Sequence, residues 1–239
     1  MLRLSLLLAV LGASLARGDV VTTLSGSKLI VTGDDSRDTV QIEAAPGGVS
    51  VVGFDGTLVD GSGNGGTFAG VEHLTVKLRQ GGDRLTIRGV DLSGKLGIRL
   101  GRASDDIVLD GVRAGATSVR TGGGDDVVSV VGPTRLRKLT VQTSTGEDAV
   151  VLDGAWVTGD LAIDTGSDDD YVGIFVTEVA DDVDVHLGND DDFIELADVA
   201  FDDDTHVDGE EGDDAAFLYG YIWFGDDVDF DDFDDDWWW

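Results

Sequence analysis

Seven aspartates set the frame of this chain: Asp83, Asp105, Asp126, Asp148, Asp170, Asp192 and Asp214 follow one another at intervals of 21 or 22 residues. Apolar residues stand two and four places after each anchor. The pairs run Leu85/Ile87, Ile107/Leu109, Val128/Val130, Val150/Leu152, Val172/Ile174, Ile194/Leu196 and Ala216/Leu218. That alternation is the period of a strand with one buried face. A second alternating segment follows in most repeats, as Leu96/Ile98/Leu100, Leu139/Val141, Leu161/Ile163 and Val183/Val185. Glycine recurs six places past the anchor at Gly89, Gly111, Gly132, Gly154 and Gly220, where the chain must bend. Self-similarity at this period is the signature of a solenoid, in which no single repeat can bury its own apolar face. The reading is all-β: a right-handed parallel β-helix of about 22 residues per coil, since parallel crossovers are right-handed. Upstream, DSRDTVQIEA places Asp38 as a further anchor with Val40 and Ile42 inward. The 45 residues from Asp38 to Asp83 leave room for two coils with an insertion at GSGNGG, positions 61–66. Roughly eight or nine coils are therefore expected.

A solenoid turns each sequence column into a physical stack. One place before the anchor the column reads Gly82, Ser104, Asp125, Glu147, Asp169, Asp191, Asp213; two places before, Asp168 and Asp190 replace glycine. Twelve places after it the column reads Lys95, Thr117, Lys138, Asp160, Asp182, Asp204, Asp226, so lysine gives way to aspartate midway. Carboxylates stacked at the ~4.8 Å strand spacing repel by about 0.9 kcal/mol in water and about 3.5 kcal/mol at an effective dielectric near 20. Capping of turn N–H groups explains one aspartate per turn but leaves the triplets Asp168–Asp170 and Asp190–Asp192 over. Hard divalent cations, which take 6–8 oxygen ligands, answer both the repulsion and the surplus. The candidate Ca²⁺ ligands are Asp125, Asp126, Asp148, Asp168, Asp169, Asp170, Asp190, Asp191, Asp192, Asp213 and Asp214.

The charge is segregated. All 16 Lys and Arg lie at or before Lys138, alongside 15 acids; from Leu139 onward there are 33 acids and no base, which together make the net charge of −32. So acidic a surface argues against nucleic acid as a partner and for cations. There is no cysteine, hence no disulfide and no thiolate zinc site. Residues 1–18 (MLRLSLLLAVLGASLARG) have the layout of a signal peptide, with cleavage expected after Ala16 or Gly18. No later stretch is long and apolar enough for a transmembrane span. The expected organisation is a signal peptide over 1–18, one β-solenoid domain over 19–236 (irregular coils over 19–80, regular ones over 81–236) and a Trp-rich end, Trp237–Trp239, expected to cover the open end of the solenoid.

The phrases G-x-D-D-x-V-x-V and G-D-L-x-I-x-T-G (TGGGDDVVSV at 121–130, GDLAIDTG at 159–166) resemble those of secreted bacterial Asp/Gly-rich parallel β-helix repeat proteins, over about Lys28 to Asp214. TGGGDDVV is also similar, more loosely, to the RTX nonapeptide, whose turns bind Ca²⁺. It departs from that motif in the placing of its Gly-Gly pair and in its period. The resemblance implies Ca²⁺ in the turns and an extracellular or cell-surface location.

Three functional classes follow. The leading expectation is a non-enzymatic, exported solenoid binding Ca²⁺ and serving as a structural or adhesive module. Its partners are then divalent cations and a carbohydrate or cationic cell-surface partner. The second is a carbohydrate-active β-helix enzyme, a lyase or hydrolase, because paired aspartates can do acid–base work on a glycoside. Against it, the acidic half has no base, and its acids extend the repeat where a catalytic site breaks one. The third is an acidic binder of a cationic partner or mineral. His73, His186 and His206 show no ligand spacing and read as surface histidines, the latter two at outward positions of neighbouring coils. Trp156 and Trp223 read as lone aromatics.

Overall fold

Residues 18–233 are described by a computed structural model. The signal-peptide reading of 1–18 lies almost wholly outside them, and that of Trp237–Trp239 does so entirely. The described chain is all-β, a solenoid of about seven turns with about 22 residues per coil. Among the described residues no helix is long and apolar enough to cross a membrane.

Each coil contributes strands to successive faces. Face A stacks Thr39–Ala45, Arg84–Arg88, Asp106–Asp110, Val127–Val131, Ala149–Asp153, Tyr171–Phe175, Phe193–Phe201 and Ala215–Phe224, all parallel and in register but for one shift in the last pair. Ile107, for example, sits between Leu85 and Val128. Face B stacks Lys28–Thr32, His73–Lys77, Leu96–Arg99, Arg113–Gly123, Arg135–Thr145, Leu161–Ser167, Val183–Asn189, Thr205–Glu211 and Val228–Asp231 in the same way. Both alternating segments read from the sequence point inward and are buried. A third, shorter face joins them, from Trp156–Val157, Glu178–Val179 and the ends of the longer strands. Its inward residues (Val90, Leu92, Val112, Leu136, Val157, Val179, Phe201) complete the core. Fully burying each such side chain contributes about 1.5–3 kcal/mol, which a strand exposed on its own would forgo.

The coil count is lower than the eight or nine expected, and the reason is local. Thr39–Ala45 pairs directly with Arg84–Arg88. The intervening residues therefore make one coil with an excursion, not two coils. In the excursion Gly48–Gly53 folds back antiparallel on Thr39–Ala45 and takes Gly66–Phe68 as a further antiparallel partner. Asp19–Ser25 likewise folds antiparallel on Lys28–Thr32 at the N-terminal end. At the other end the extra residue falls within Tyr219–Ile222, where the register shifts by one. There a chain of rings, Phe201, Phe224, Phe230 and Phe233, stands at centroid spacings of 5.8, 6.2 and 6.0 Å.

The bend six places past the anchor is left-handed. Gly89, Gly111, Gly132, Gly154 and Gly220 have φ of 61–76°, and in the two coils lacking glycine the same conformation is held by Val176 (φ 50°) and Asp198 (φ 53°). Without a Cβ this conformation is free of penalty, and with a β-branched side chain it is strained.

Candidate metal-binding site

The anchor column lies inside the solenoid. Asp38, Asp83, Asp105, Asp126, Asp148, Asp170, Asp192 and Asp214 are all at most 3 % exposed. At this corner the anchor's N–H finds no carbonyl in the neighbouring strand, so a side chain supplies the acceptor. The N–H of Asp38 donates to Oδ1 of Asp83 at 2.7 Å, Asp83 to Asp105 at 2.7 Å, and the pattern continues rung by rung to Asp192 donating to Asp214 at 2.7 Å. The anchor carbonyls from Asp38 to Asp192 in turn accept from the first strand residue of the next coil, as Asp83 does from Asp106 at 2.9 Å. A buried N–H left unpaired costs about 1–3 kcal/mol, so the aspartate column is a structural requirement of the corner.

Burial favours the protonated carboxyl along the ladder from Asp38 to Asp192, which lessens the repulsion of stacked charges. Burial, only partly offset by the donated N–H, pushes Asp83 up to about 8, Asp38, Asp105, Asp170 and Asp192 to about 7, and Asp148 to about 6; the charges of adjacent rungs add to the effect. Thr121, Thr143 and Thr165 place their hydroxyls beside Asp126, Asp148 and Asp170.

Of the eleven aspartates proposed from sequence as Ca²⁺ ligands, Asp126, Asp148, Asp170, Asp192 and Asp214 belong to this interior ladder. Asp125, Asp168, Asp169, Asp190, Asp191 and Asp213 face solvent in the turn outside it. The turn uses its surplus acids as caps. Asp125 accepts the N–H of Glu147 at 3.2 Å, Asp169 that of Asp191 at 3.2 Å and Asp191 that of Asp213 at 3.1 Å. Asp168 accepts the N–H of Gly146 at 3.0 Å. Asp168 and Asp190 also take the left-handed conformation (φ 81° and 78°) that glycine holds at 124 and 146, which aspartate tolerates better than most residues. Each member of the Asp168–Asp170 triplet thus accepts an N–H from a neighbouring coil, Asp168 and Asp170 from the coil before and Asp169 from the coil after, and capping covers more of the pattern than the sequence suggested.

Carboxylates converge at another corner. In the column twelve places past the anchor, Asp160, Asp181 and Asp182 bring three carboxylate oxygens within 4.8 Å of one another, and Asp182, Asp203 and Asp204 do the same. Asp182 is shared by both groups. The column is held by the backbone: Leu161 N–H donates to the Asp182 carbonyl and Val183 N–H to the Asp204 carbonyl, each at 2.9 Å. Its first acid is neutralised, since Lys138 of the coil before pairs with Asp160 and holds that carboxyl below its usual range. Further along there is no base. Desolvation and then the charges of Asp181, Asp203, Asp204 and Asp160 push Asp182 up. The sequence displayed Asp160, Asp182 and Asp204 as a ladder; what it did not display was that Asp181 and Asp203 share the corner.

A third group lies on the outward side of face B, where register pairs Asp184 with His206 and His186 with Asp208. His206 and His186 are diagonal neighbours with ring centroids 5.6 Å apart. The two histidines set aside as surface residues do lie at the surface, but among carboxylates: Asp184, His186 and His206 bring ligand atoms within 4.8 Å, as do His186, Asp208 and Glu210, and His206, Asp229 and Asp231. The signal was present as a 22-residue offset between 184 and 206 and between 186 and 208, which a search for local ligand spacing passes over. Trp156 is not a lone aromatic either, because the Arg135 guanidinium lies 4.6 Å from its ring.

Comparison with protein-family models, with curated proteins and with solved structures finds no match. The fold assignment therefore stands on the solenoid and its buried ladder of stacked aspartates.

Proposed function

We propose that this protein is an exported, non-enzymatic β-solenoid whose acidic C-terminal coils bind Ca²⁺, and that it serves as a structural or adhesive module outside the cell. One observation carries the cation reading: carboxylates of three successive coils, Asp160, Asp181, Asp182, Asp203 and Asp204, converge at one corner with Asp182 shared. Ca²⁺ binds oxygens at 2.3–2.6 Å in flexible geometry, so a ligand field assembled from neighbouring rungs suits it better than Mg²⁺, which demands a near-ideal octahedron. A cation there offsets repulsion along the column and ties consecutive coils together. The solvent-facing acids Asp168, Asp169, Asp190, Asp191 and Asp213 form a second, looser field for the same ion.

An adhesive role draws support from a row of rings on the outward side of face A. Tyr171 stacks on Phe193 at 5.9 Å and Phe193 meets Phe217 at 5.2 Å; Tyr219 is exposed on the same strand, and Tyr221 and Trp223 are exposed where that strand runs on into the third face. Such a strip offers flat apolar surfaces of the kind that stack on sugar rings. Export rests on the layout of residues 1–18, and the non-enzymatic reading on acids that repeat in place of clustering.

Thermal unfolding of the full chain with Ca²⁺ and with chelator tests the proposal. Ca²⁺ at about 100 times its Kd stabilises by about 2.7 kcal/mol and raises the Tm accordingly. Asp182→Asn, which removes the shared ligand, is expected to abolish most of that rise. A Tm indifferent to Ca²⁺, or an Asp182→Asn response equal to wild type, rejects the site.

A further inference from the structure

The outward side of face B carries a site of different chemistry. Over the strands Val183–Asn189, Thr205–Glu211 and Val228–Asp231, register places Asp184, His206 and Asp229 in one row and His186, Asp208 and Asp231 in the next. Glu210 extends the field at the end of the second strand. Histidine and carboxylate alternate, so each imidazole is surrounded by acids and neither by a base. The rows are spaced by the sheet itself, ~4.8 Å across and two residues along, so the grid needs no folding of loops to form.

We infer that His186, His206 and Asp184 form a binding site for a divalent transition metal of the Zn²⁺ class. Two features distinguish it from the acidic corner. Imidazole nitrogen suits Zn²⁺, Co²⁺, Ni²⁺ and Cu²⁺, whereas Ca²⁺ and Mg²⁺ are taken by oxygen alone. The histidine is also already oriented. The Nε2 of His186 lies 3.1 Å from Oδ1 of Asp184, and its Nδ1 lies 3.3 Å from Oε1 of Glu210 and 3.9 Å from Oδ2 of Asp208. A carboxylate behind one ring nitrogen fixes the tautomer that presents the lone pair of the other, the arrangement by which metal-bound histidines are held. Glu210 and Asp208 are thus the positioning groups, and Nε2, Asp184 and His206 the ligands.

The geometry is close to what the ion needs. Tetrahedral ligands at 2.0–2.1 Å stand about 3.3–3.4 Å apart. The Asp184–His186 separation of 3.1 Å is near that value. All three ligand atoms already lie within 4.8 Å of one another, and half-exposed side chains can close the remainder by rotation. Three protein ligands then leave the rest of the coordination sphere to solvent. Because the ligands come from two neighbouring strands, the bound ion staples coil to coil near the C-terminal end.

The test is a zinc titration of the full chain at neutral pH with millimolar CaCl₂ present throughout, followed by ¹⁵N-histidine NMR and calorimetry. His73 serves as the internal control: it lies far along face B, where its Nδ1 accepts the N–H of Lys95 at 3.0 Å. Zinc should shift the signals of His186 and His206 at one equivalent and leave His73 in place. His206→Gln should abolish tight binding. Glu210→Gln, which spares all three ligands, should weaken it about 10–100-fold at unchanged stoichiometry, the range expected for an orienting carboxylate. Asp182→Asn should leave the zinc isotherm unaltered, so failure of the calcium site and failure of this one are read separately. The inference is overturned if zinc moves neither histidine, moves His73 equally, or binds His206→Gln as it binds wild type. An unchanged affinity in Glu210→Gln rejects the positioning role.

Discussion

One outward column on face B runs the length of the solenoid and changes character halfway. Paired strand to strand, it reads Lys77, Arg99, Arg120, Gln142, Asp164, His186, Asp208, Asp231. In the N-terminal half, cations are matched to acids elsewhere on the surface, as in Arg84–Asp106 and Arg88–Asp110 at 2.9 Å across neighbouring coils. Gln142 is the joint: its Oε1 accepts from Arg120 at 2.6 Å and its Nε2 donates to Asp164 at 3.2 Å. Beyond Lys138 no base remains, and the same column holds acids and a histidine. Inside, nothing changes at this boundary. The Asp ladder crosses it with the same 2.7 Å bonds, Asp126 to Asp148 and Asp148 to Asp170. The difference teaches that the fold is carried by the interior columns, and that the exterior is free to take a net charge the fold itself does not require.

Lowering the pH is the broadest way to probe that contrast, and the largest effect is expected there. Six ladder carboxyls, Asp38, Asp83, Asp105, Asp148, Asp170 and Asp192, have folded pKa values raised to about 6–8 from 3.8, and burial also raises that of Asp126. A raised pKa means that the folded state binds the proton more tightly than the unfolded chain. Its contribution is complete below about pH 4 and is lost as pH rises through 6–8. In the presence of chelator the Tm should therefore climb by several degrees from pH 8 to pH 5, opposite to ordinary acid denaturation. A Tm that falls over this range removes the protonated ladder from the account. Hydrogen exchange sharpens the result: interior amides should gain protection on both sides of Lys138, because the ladder crosses that boundary unchanged.

A single rung is a smaller intervention. Asp148→Ala takes away the acceptor of the Asp126 N–H and should cost about 1–3 kcal/mol in urea unfolding. Asp148→Asn keeps an acceptor oxygen of the same shape and gives Thr143 a neutral neighbour. It should match wild type at pH 5 and equal or exceed it at pH 8. Should the asparagine variant lose as much as the alanine variant at pH 8, the rung needs its charge, and the interior column joins the cation-binding acids.

The smallest effect concerns the bend. Val176 holds the left-handed conformation that glycine holds in five other coils, and it is exposed. Val176→Gly should stabilise by about 1 kcal/mol, the steric relief of roughly 1–2 kcal/mol less the added entropy of glycine. Gly132→Val, the reverse change in the N-terminal half, should destabilise by a similar amount. If both changes are neutral in thermal unfolding, the bend is more forgiving than its dihedrals indicate.

The sequence made the solenoid legible because period is a one-dimensional property. The 22-residue spacing, the two alternating segments and the glycine six places on required no knowledge of what touches what. It misjudged the stretch from Asp38 to Asp83, since a length divisible into two coils is equally a coil and a hairpin, and only the pairing of Thr39–Ala45 with Arg84–Arg88 distinguishes them. It also passed over the third face, where a short pair such as Trp156–Val157 is too brief to show a period.

The site divides along the same line. By itself the sequence determined that aspartates stack, in which columns, and that bases end at Lys138, because register carries a residue to its equivalent 22 places on. Which of those acids face inward was decided by the tertiary structure. Asp170 is buried beneath a neighbouring N–H while Asp169, one residue earlier, stands in solvent. The meeting of His186 with His206 was likewise a tertiary outcome. They are 20 residues apart, off the repeat, and only the lateral packing of strands makes diagonal positions neighbours. A repeat specifies what lies directly above what; the sheet alone decides what lies beside it.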